Sequence, residues 1–140
     1  MADVHSKETR SYNMSRIKGK DTKPEMLVRK FLFAHGFRYR LHDKKLPGKP
    51  DIVLPKHKAV IFVHGCFWHG HEGCKYFVVP RSRTDWWLSK ISGNISNDNK
   101  KKSELRELGW NVITIWECDI RPGKREATLN VLLKRLQRLT

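Results

Sequence analysis

Residues 51–74 read DIVLPKHKAVIFVHGCFWHGHEGC, and the first half of this stretch decides the fold class. Ile52, Val53 and Leu54 form a short apolar run that Pro55 closes. The segment PKHK (residues 55–58) is a turn, and AVIFVH (residues 59–64) is almost wholly apolar. Such a run suits a central strand covered on both faces, whereas a half-exposed strand alternates. The second half is different in kind. From His64 onward, three histidines, two cysteines and a glutamate crowd around the adjacent pair Phe67 and Trp68. Metal ligands ordinarily occupy polar loops and large aromatics ordinarily occupy cores, so the loop leaving this strand carries more than one task.

Upstream, FRYRL (residues 37–41) alternates as a strand, and HDKKLPGKP (residues 42–50) is a turn-rich connection. Before it, Thr22, Pro24 and Glu25 have the form of a helix start, with Thr as N-cap, Pro in the first turn and Glu at the third position. Leu27, Val28, Phe31, Leu32 and Ala34 then give one helical face, which Gly36 ends. Residues 7–17 read as a short polar helix or arm carrying Met14 and Ile17, with so little apolar surface that a partner is needed to order it. Downstream, residues 83–110 are long and polar, with Trp87, Leu88, Ile91, Ile95, Leu105 and Leu108 at roughly helical spacing. Gly93 is a place for a kink in this helix, and Gly109 is its cap. NVITIW (residues 111–116) is a second buried strand leading into Glu117 and Cys118, and residues 124–139 form a last amphipathic helix. The order α-α-β-β-β-α-β-α predicts an α/β domain with a mixed β-sheet flanked by helices, residues 21–140, preceded by an N-terminal helical arm over residues 1–20.

The chain has 140 residues, long enough for one real core. Lys and Arg number 29 against 14 acids, a net charge of +15, and the sequence pI is about 10.1. The cations fall in clusters along the chain, and such a field concentrates polyanions, so nucleic acid is the expected partner. No apolar run approaches the roughly 20 residues of a membrane span, and MADVHSKETR lacks the apolar core of a secretory signal. The expectation is a cytoplasmic, monomeric protein without a membrane partner.

Asp51 opens a strand whose neighbour ends at Phe62, Val63 and His64, which brings an acid and polar groups to one sheet edge. A strand-borne carboxylate suits magnesium, which takes one or two carboxylates together with waters and phosphate oxygens. An aspartate after a proline turn is also common for local reasons. Cys66, Cys74 and Cys118 are odd in number, which argues against a disulfide framework, but with one imidazole they complete a tetrahedral zinc set. Spacing allows either His71 or His69 as the fourth ligand. Glu25 fits a capping box as well as it fits a site. Asn94 and Asp98 lie four apart on one helix face, as solvated residues also do.

The acid at the strand start resembles the PD-(D/E)xK nuclease superfamily, although Phe62-Val63-His64 stands where that superfamily has Glu-x-Lys. MADVHSKETRSYNM, LPGKPDIVLP, VIFVHGCFWHGH and ELGWNVITIWEC, in this order and spacing, resemble the very short patch repair (Vsr) endonucleases from Met1 to about Cys118. The resemblance implies a single restriction-endonuclease-like domain that nicks DNA 5′ to the thymine of a T:G mismatch, the product of 5-methylcytosine deamination. It implies two catalytic magnesium ions at Asp51 and the carbonyl of Val63, with Glu25 reaching the metals from its helix. His69 is implied as general base, oriented by Asp98 with Asn94 beside it, and His64 as a donor near the scissile phosphate. His71, with Cys66, Cys74 and Cys118, is implied as the fourth ligand of one structural zinc. Phe67 and Trp68 are implied to wedge into the mismatch from the major groove, where unstacking is cheapest at a mispair, with Met14 entering from the minor groove and Lys90 recognising DNA nearby. A mismatch-repair protein is implied as an accessory partner. The competing readings are a restriction-type enzyme of the same fold and a zinc-stabilised DNA-binding module without catalysis.

Overall fold

The structure is a computed structural model and describes residues 22–139. The arm expected over residues 1–20, with Met14, lies outside these residues. Helix α1 spans Lys23–Ala34. Its first turn forms as the sequence predicts: the Thr22 hydroxyl accepts from the Glu25 amide at 3.4 Å, and Pro24 sits where no amide is needed. Gly36, at φ 84°, lets the chain turn out of the helix.

Four strands form one sheet: β1 (Arg40–Leu41), β2 (Ile52–Leu54), β3 (Ala59–His64) and β4 (Asn111–Trp116), in that spatial order. β1 and β2, and β2 and β3, pair antiparallel, while β3 and β4 run parallel with His64 opposite Trp116. A parallel pair needs a long crossover, and helix α2 (Thr84–Glu107) supplies it. Helix α3 (Arg125–Gln137) follows β4. The domain is therefore α/β, with a mixed four-stranded sheet and three helices among the described residues.

The near-continuous apolar runs are explained by burial on both faces. Ile52, Leu54, Ala59, Ile61, Ile113 and Ile115 pack with Val28 and Leu32 of α1 and Leu129, Leu132 and Leu136 of α3. The alternate residues Val53, Val60, Phe62 and Val112 face Leu105 of α2. This second cluster is small and holds the end of α2 on the sheet, while Ile91 is buried farther up the helix.

Two local expectations change, and the PKHK turn holds in a more definite form. The strand expected over residues 37–41 contracts to Arg40–Leu41, because Phe37 is drawn into the core beneath α1 and takes the chain out of the sheet edge. The PKHK turn is a single 3-10 turn, Pro55–His57, with Lys58 at φ 51°. Gly93 produces no break, since α2 runs unbroken through it for 24 residues. No helix among the described residues is long and apolar enough to cross a membrane.

Candidate active site and metal centre

β3 and β4 are parallel, so the loops leaving both strands emerge at the same end of the sheet. The loop after β3 carries Cys66, Phe67, Trp68, His69, His71 and Cys74, and the turn after β4 carries Cys118. Three clusters of ligand-type side chains gather there and at the neighbouring sheet edge.

The first is Cys66, His71, Cys74 and Cys118, whose donor atoms all lie within 4.8 Å of one another. Of the two histidine spacings that the sequence permits, this grouping takes His71. Cys118 Sγ lies 3.4 Å from His71 Nδ1, and the His71 ring stacks on Trp116 with centroids 4.1 Å apart. The sulfurs also receive backbone amides: Cys118 N donates to Cys66 Sγ and Tyr76 N to Cys74 Sγ, each at 3.4 Å. Amide donors stabilise thiolates, as does a dication. Burial pushes the Cys66 thiol up, and Cys118 is pushed up to about 12 by burial and by the neighbouring sulfurs. Three sulfurs this close resist ionising together unless a cation sits among them, and three cysteines with one imidazole are a donor set that zinc fits.

The second cluster is Glu25, His42 and Asp51. Asp51 Oδ2 accepts the Val63 amide at 2.7 Å, which ties the start of β2 to the end of β3 as the sequence suggested. Glu25 is 1% exposed, and its carboxylate turns inward: Oε2 lies 3.0 Å from His42 Nε2 and 3.2 Å from Arg29. Its backbone amide meets the Thr22 cap while its side chain enters the cluster. His42 Nδ1 is also 4.0 Å from Asp51 Oδ1. Burial first, with the nearby charge of Glu25 adding to it, raises Asp51 to about 6, against the pull of the Val63 amide.

The third cluster is His64, His69 and Asp98. His69 Nδ1 meets Asp98 Oδ2 at 2.6 Å, and Asn94 Nδ2 donates to the Trp68 carbonyl at 2.8 Å. Burial would raise Asp98, but its hydrogen bond with His69, with the Lys102 ammonium nearby, outweighs this and holds it below the usual range. The His64 and His69 rings stack with centroids 3.8 Å apart. Burial, with His69 and Lys102 adding repulsion, lowers His64 to about 3, so its ring is neutral, and its buried Nε2 has no hydrogen-bond partner among the described residues. Asp51, Val63, His64, His69 and Asp98 line one cleft of about 260 Å³ together with Lys49, Lys101 and Lys102.

Helix α2 positions much of this. Trp87, Ile91, Asn94, Asp98, Lys102 and Leu105 recur at offsets of 4, 3, 4, 4 and 3, which is one stripe of a 3.6-residue helix. Gly70 explains how the β3 loop can lie so close to that stripe. At φ 58°, a Cβ there would stand 2.6 Å from Ile95 and 2.8 Å from Ile91, so a larger residue would push the loop off the helix.

Phe67 and Trp68 are half-buried and meet edge to face at 5.1 Å. Trp87 closes the group, with centroids 5.4 Å from Phe67 and 5.9 Å from Trp68, and Phe77 lies 6.4 Å from Phe67. Trp86 beside them is 47% exposed, and Lys90 is exposed on the next turn. The sequence reading did not place Trp87 in this group, nor His42 and Lys102 among the cleft clusters. His42 sat in a connection and Lys102 in a charge run; only their offsets from Asp51 and Asp98 hinted at them.

A strand-start acid, Asp51, thus shares one basic cleft with the His69–Asp98 pair, an arrangement suited to work on a phosphodiester. The family model described as DNA mismatch endonuclease Vsr matches residues 2–75. The chain is 46% identical over 137 residues to DNA mismatch endonuclease Vsr of Escherichia coli K12, covering 98% of this chain and 86% of that protein. It is 50% identical over 138 residues to Type II nicking enzyme V.NmeAIP of Neisseria meningitidis, covering 99% and 96%. Against Type II nicking enzyme V.XorIIP of Xanthomonas oryzae the identity is 46% over 134 residues, covering 95% and 98%. The chain belongs to the Vsr DNA mismatch endonuclease family, a branch of the PD-(D/E)xK superfamily.

Proposed function

We propose that this chain is a magnesium-dependent DNA endonuclease that nicks one strand 5′ to the thymine of a T:G mismatch, initiating very short patch repair. The names of its relatives, a mismatch endonuclease and several nicking enzymes, support the class of reaction. The observation that carries the reading is the 2.6 Å contact between His69 Nδ1 and Asp98 in the cleft that also holds Asp51. A DNA-binding module without catalysis has no need of such a pair.

The Asp98 contact assigns Nδ1 of His69 the role of donor and leaves Nε2 as the acceptor for a proton from an attacking water. Asp51 fits magnesium on chemical grounds, since a carboxylate held near another acid and pushed up to about 6 gains most from a cation. Asp51 and the Val63 carbonyl would hold the ions, two in number, with Glu25 behind them. Magnesium supplies charge neutralisation at the phosphate and a more acidic water when bound. His64, neutral and with Nε2 unpartnered among the described residues, is a hydrogen-bond donor for a phosphate oxygen. Asn94 fixes the Trp68 carbonyl and so couples the wedge to the catalytic helix. Phe67 and Trp68 unstack the mismatched step, with Met14 opposite and Lys90 contacting DNA beside them. The cysteine cluster with His71 holds one structural zinc and ties the wedge loop to β4. Residues 1–20 act as a DNA-contacting arm and residues 21–140 as the endonuclease domain, working as a monomer in the cytoplasm, with a mismatch-repair protein as accessory.

The test is a nicking assay on duplexes bearing T:G in permuted contexts, with T:A and C:G controls. Single-strand cleavage at T:G alone is expected. Efficient double-strand cleavage of the paired controls would replace this reading by a restriction-type one.

A further inference from the structure

The superfamily motif ends in a lysine on the strand that bears it, and this chain has His64 there, buried and neutral at ordinary pH. The cleft therefore lacks a strand-borne cation where phosphate charge grows. Helix α2 brings one in from outside. Lys102 lines the cleft with Asp51, His64, His69 and Asp98, one turn beyond Asp98 on the same stripe. Its Nζ lies 5.6 Å from the centre of the Phe62 ring, above the residue that stands in the place of the motif's glutamate.

Lys102 is partly buried, and among the described residues its ammonium makes no hydrogen bond or ion pair. Lys101, its neighbour, is neutralised within its own helix by Glu104 at 3.7 Å. Holding an ammonium out of water without an acceptor costs free energy, and burial does lower Lys102 against the pull of Asp98. Such a group suits an anion that arrives from outside.

We propose that Lys102 is a further catalytic residue of this site, its ammonium contacting a non-bridging oxygen of the scissile phosphate and supplying the cation that β3 lacks. The assignment rests on the reading of the cleft given above. Charge on that oxygen increases on the way to the transition state, so the contact is stronger there than in the bound substrate.

The test separates this role from the alternative in which the lysine stem merely covers Phe62. Lys102→Met keeps the stem and removes the charge. With zinc content and melting temperature unchanged, the single-turnover rate on a T:G duplex should fall roughly 10²-fold. Binding should weaken less than about tenfold, as for loss of one phosphate contact. Lys102→Arg should retain much of the rate, and added ethylamine should restore part of it to Lys102→Ala. A wild-type rate in Lys102→Met overturns the proposal, as does an equally slow Lys102→Arg with no amine rescue. Asp51→Ala is run in parallel: if it is inactive while Lys102→Met is fully active, only the lysine assignment falls, and if Asp51→Ala also nicks normally, the reading of the cleft falls with it.

Discussion

Two ligand clusters flank the loop after β3, and they solve opposite problems. Cys66, His71, Cys74 and Cys118 come from a tight loop and a distant turn, and their four donors lie within 4.8 Å of one another, a set able to fill a tetrahedral sphere without help. Asp51, with Glu25 and His42 behind it, faces a cleft and leaves room for water and phosphate. On the proposed reading, the sulfurs of the first, which resist joint ionisation, are satisfied by an ion that becomes part of the fold. In the second, carboxylates are held close at a cost to the fold, and the imbalance is kept for the substrate complex. Soft donors that fill a coordination sphere make a joint, whereas hard donors that leave one open make a workplace.

The sharpest way to break that contrast is to exchange the consequences. Cys118→Ser should lose zinc and about 5 kcal/mol or more of stability, a large share of the roughly 5–15 kcal/mol that holds a domain of this size. Metal analysis and thermal melting check this, and wild-type zinc content would remove Cys118 from the ligand set. Asp51→Ala and His69→Ala should instead keep zinc and mismatch binding while nicking falls by roughly 10³-fold. Full activity in either purified variant removes that residue from the chemistry. Asp98→Asn is milder, since an amide can still accept from His69 but can also turn its donor toward it. A loss of about 10²-fold in single-turnover rate, with binding intact, is expected.

The smallest effect runs the other way. Asp51 is raised in the fold to about 6 from 3.8. The protonated form is thus the one the metal-free fold prefers, and its stabilising contribution, complete below pH 3.8, is lost as pH rises through 6. Asp51→Asn is uncharged throughout and should be about 1–3 kcal/mol more stable than the parent at pH 7 without magnesium. Denaturant melts should show this gap closing toward pH 4. A gap of the opposite sign would mean that the cleft does not store the imbalance described.

Much of this was legible in the chain because burial leaves a signature. β3 and β4 are covered on both faces and read as unbroken apolar runs, and α1 carries an N-cap, a proline and an apolar face in order. The cysteine spacing and the motif around Asp51 pointed to the two clusters before any geometry was known. Polar residues with inward work were harder to read. Asn94 and Asp98 stood out only through the family resemblance and Lys102 not at all, because the inner stripe of α2 is polar and resembles a solvated face. His42 lies in a turn-rich connection, and only its 3.0 Å approach to Glu25 shows its place. β1 alternates well as FRYRL, but Phe37 is claimed by the core, and tertiary packing outweighs the local pattern.

The unbroken course of α2 has a consequence for length. Trp87 and Asp98 are eleven residues apart on one rigid rod, about 16 Å at helical rise. On the proposed reading, that rod is a ruler between the place where the bases are parted and the place where the backbone is cut. One residue inserted between them would lengthen it by only about 1.5 Å but swing Trp87 and Asp98 roughly 100° out of line. The offset of the nick from the mispair is then a property of helix geometry, set before any DNA arrives.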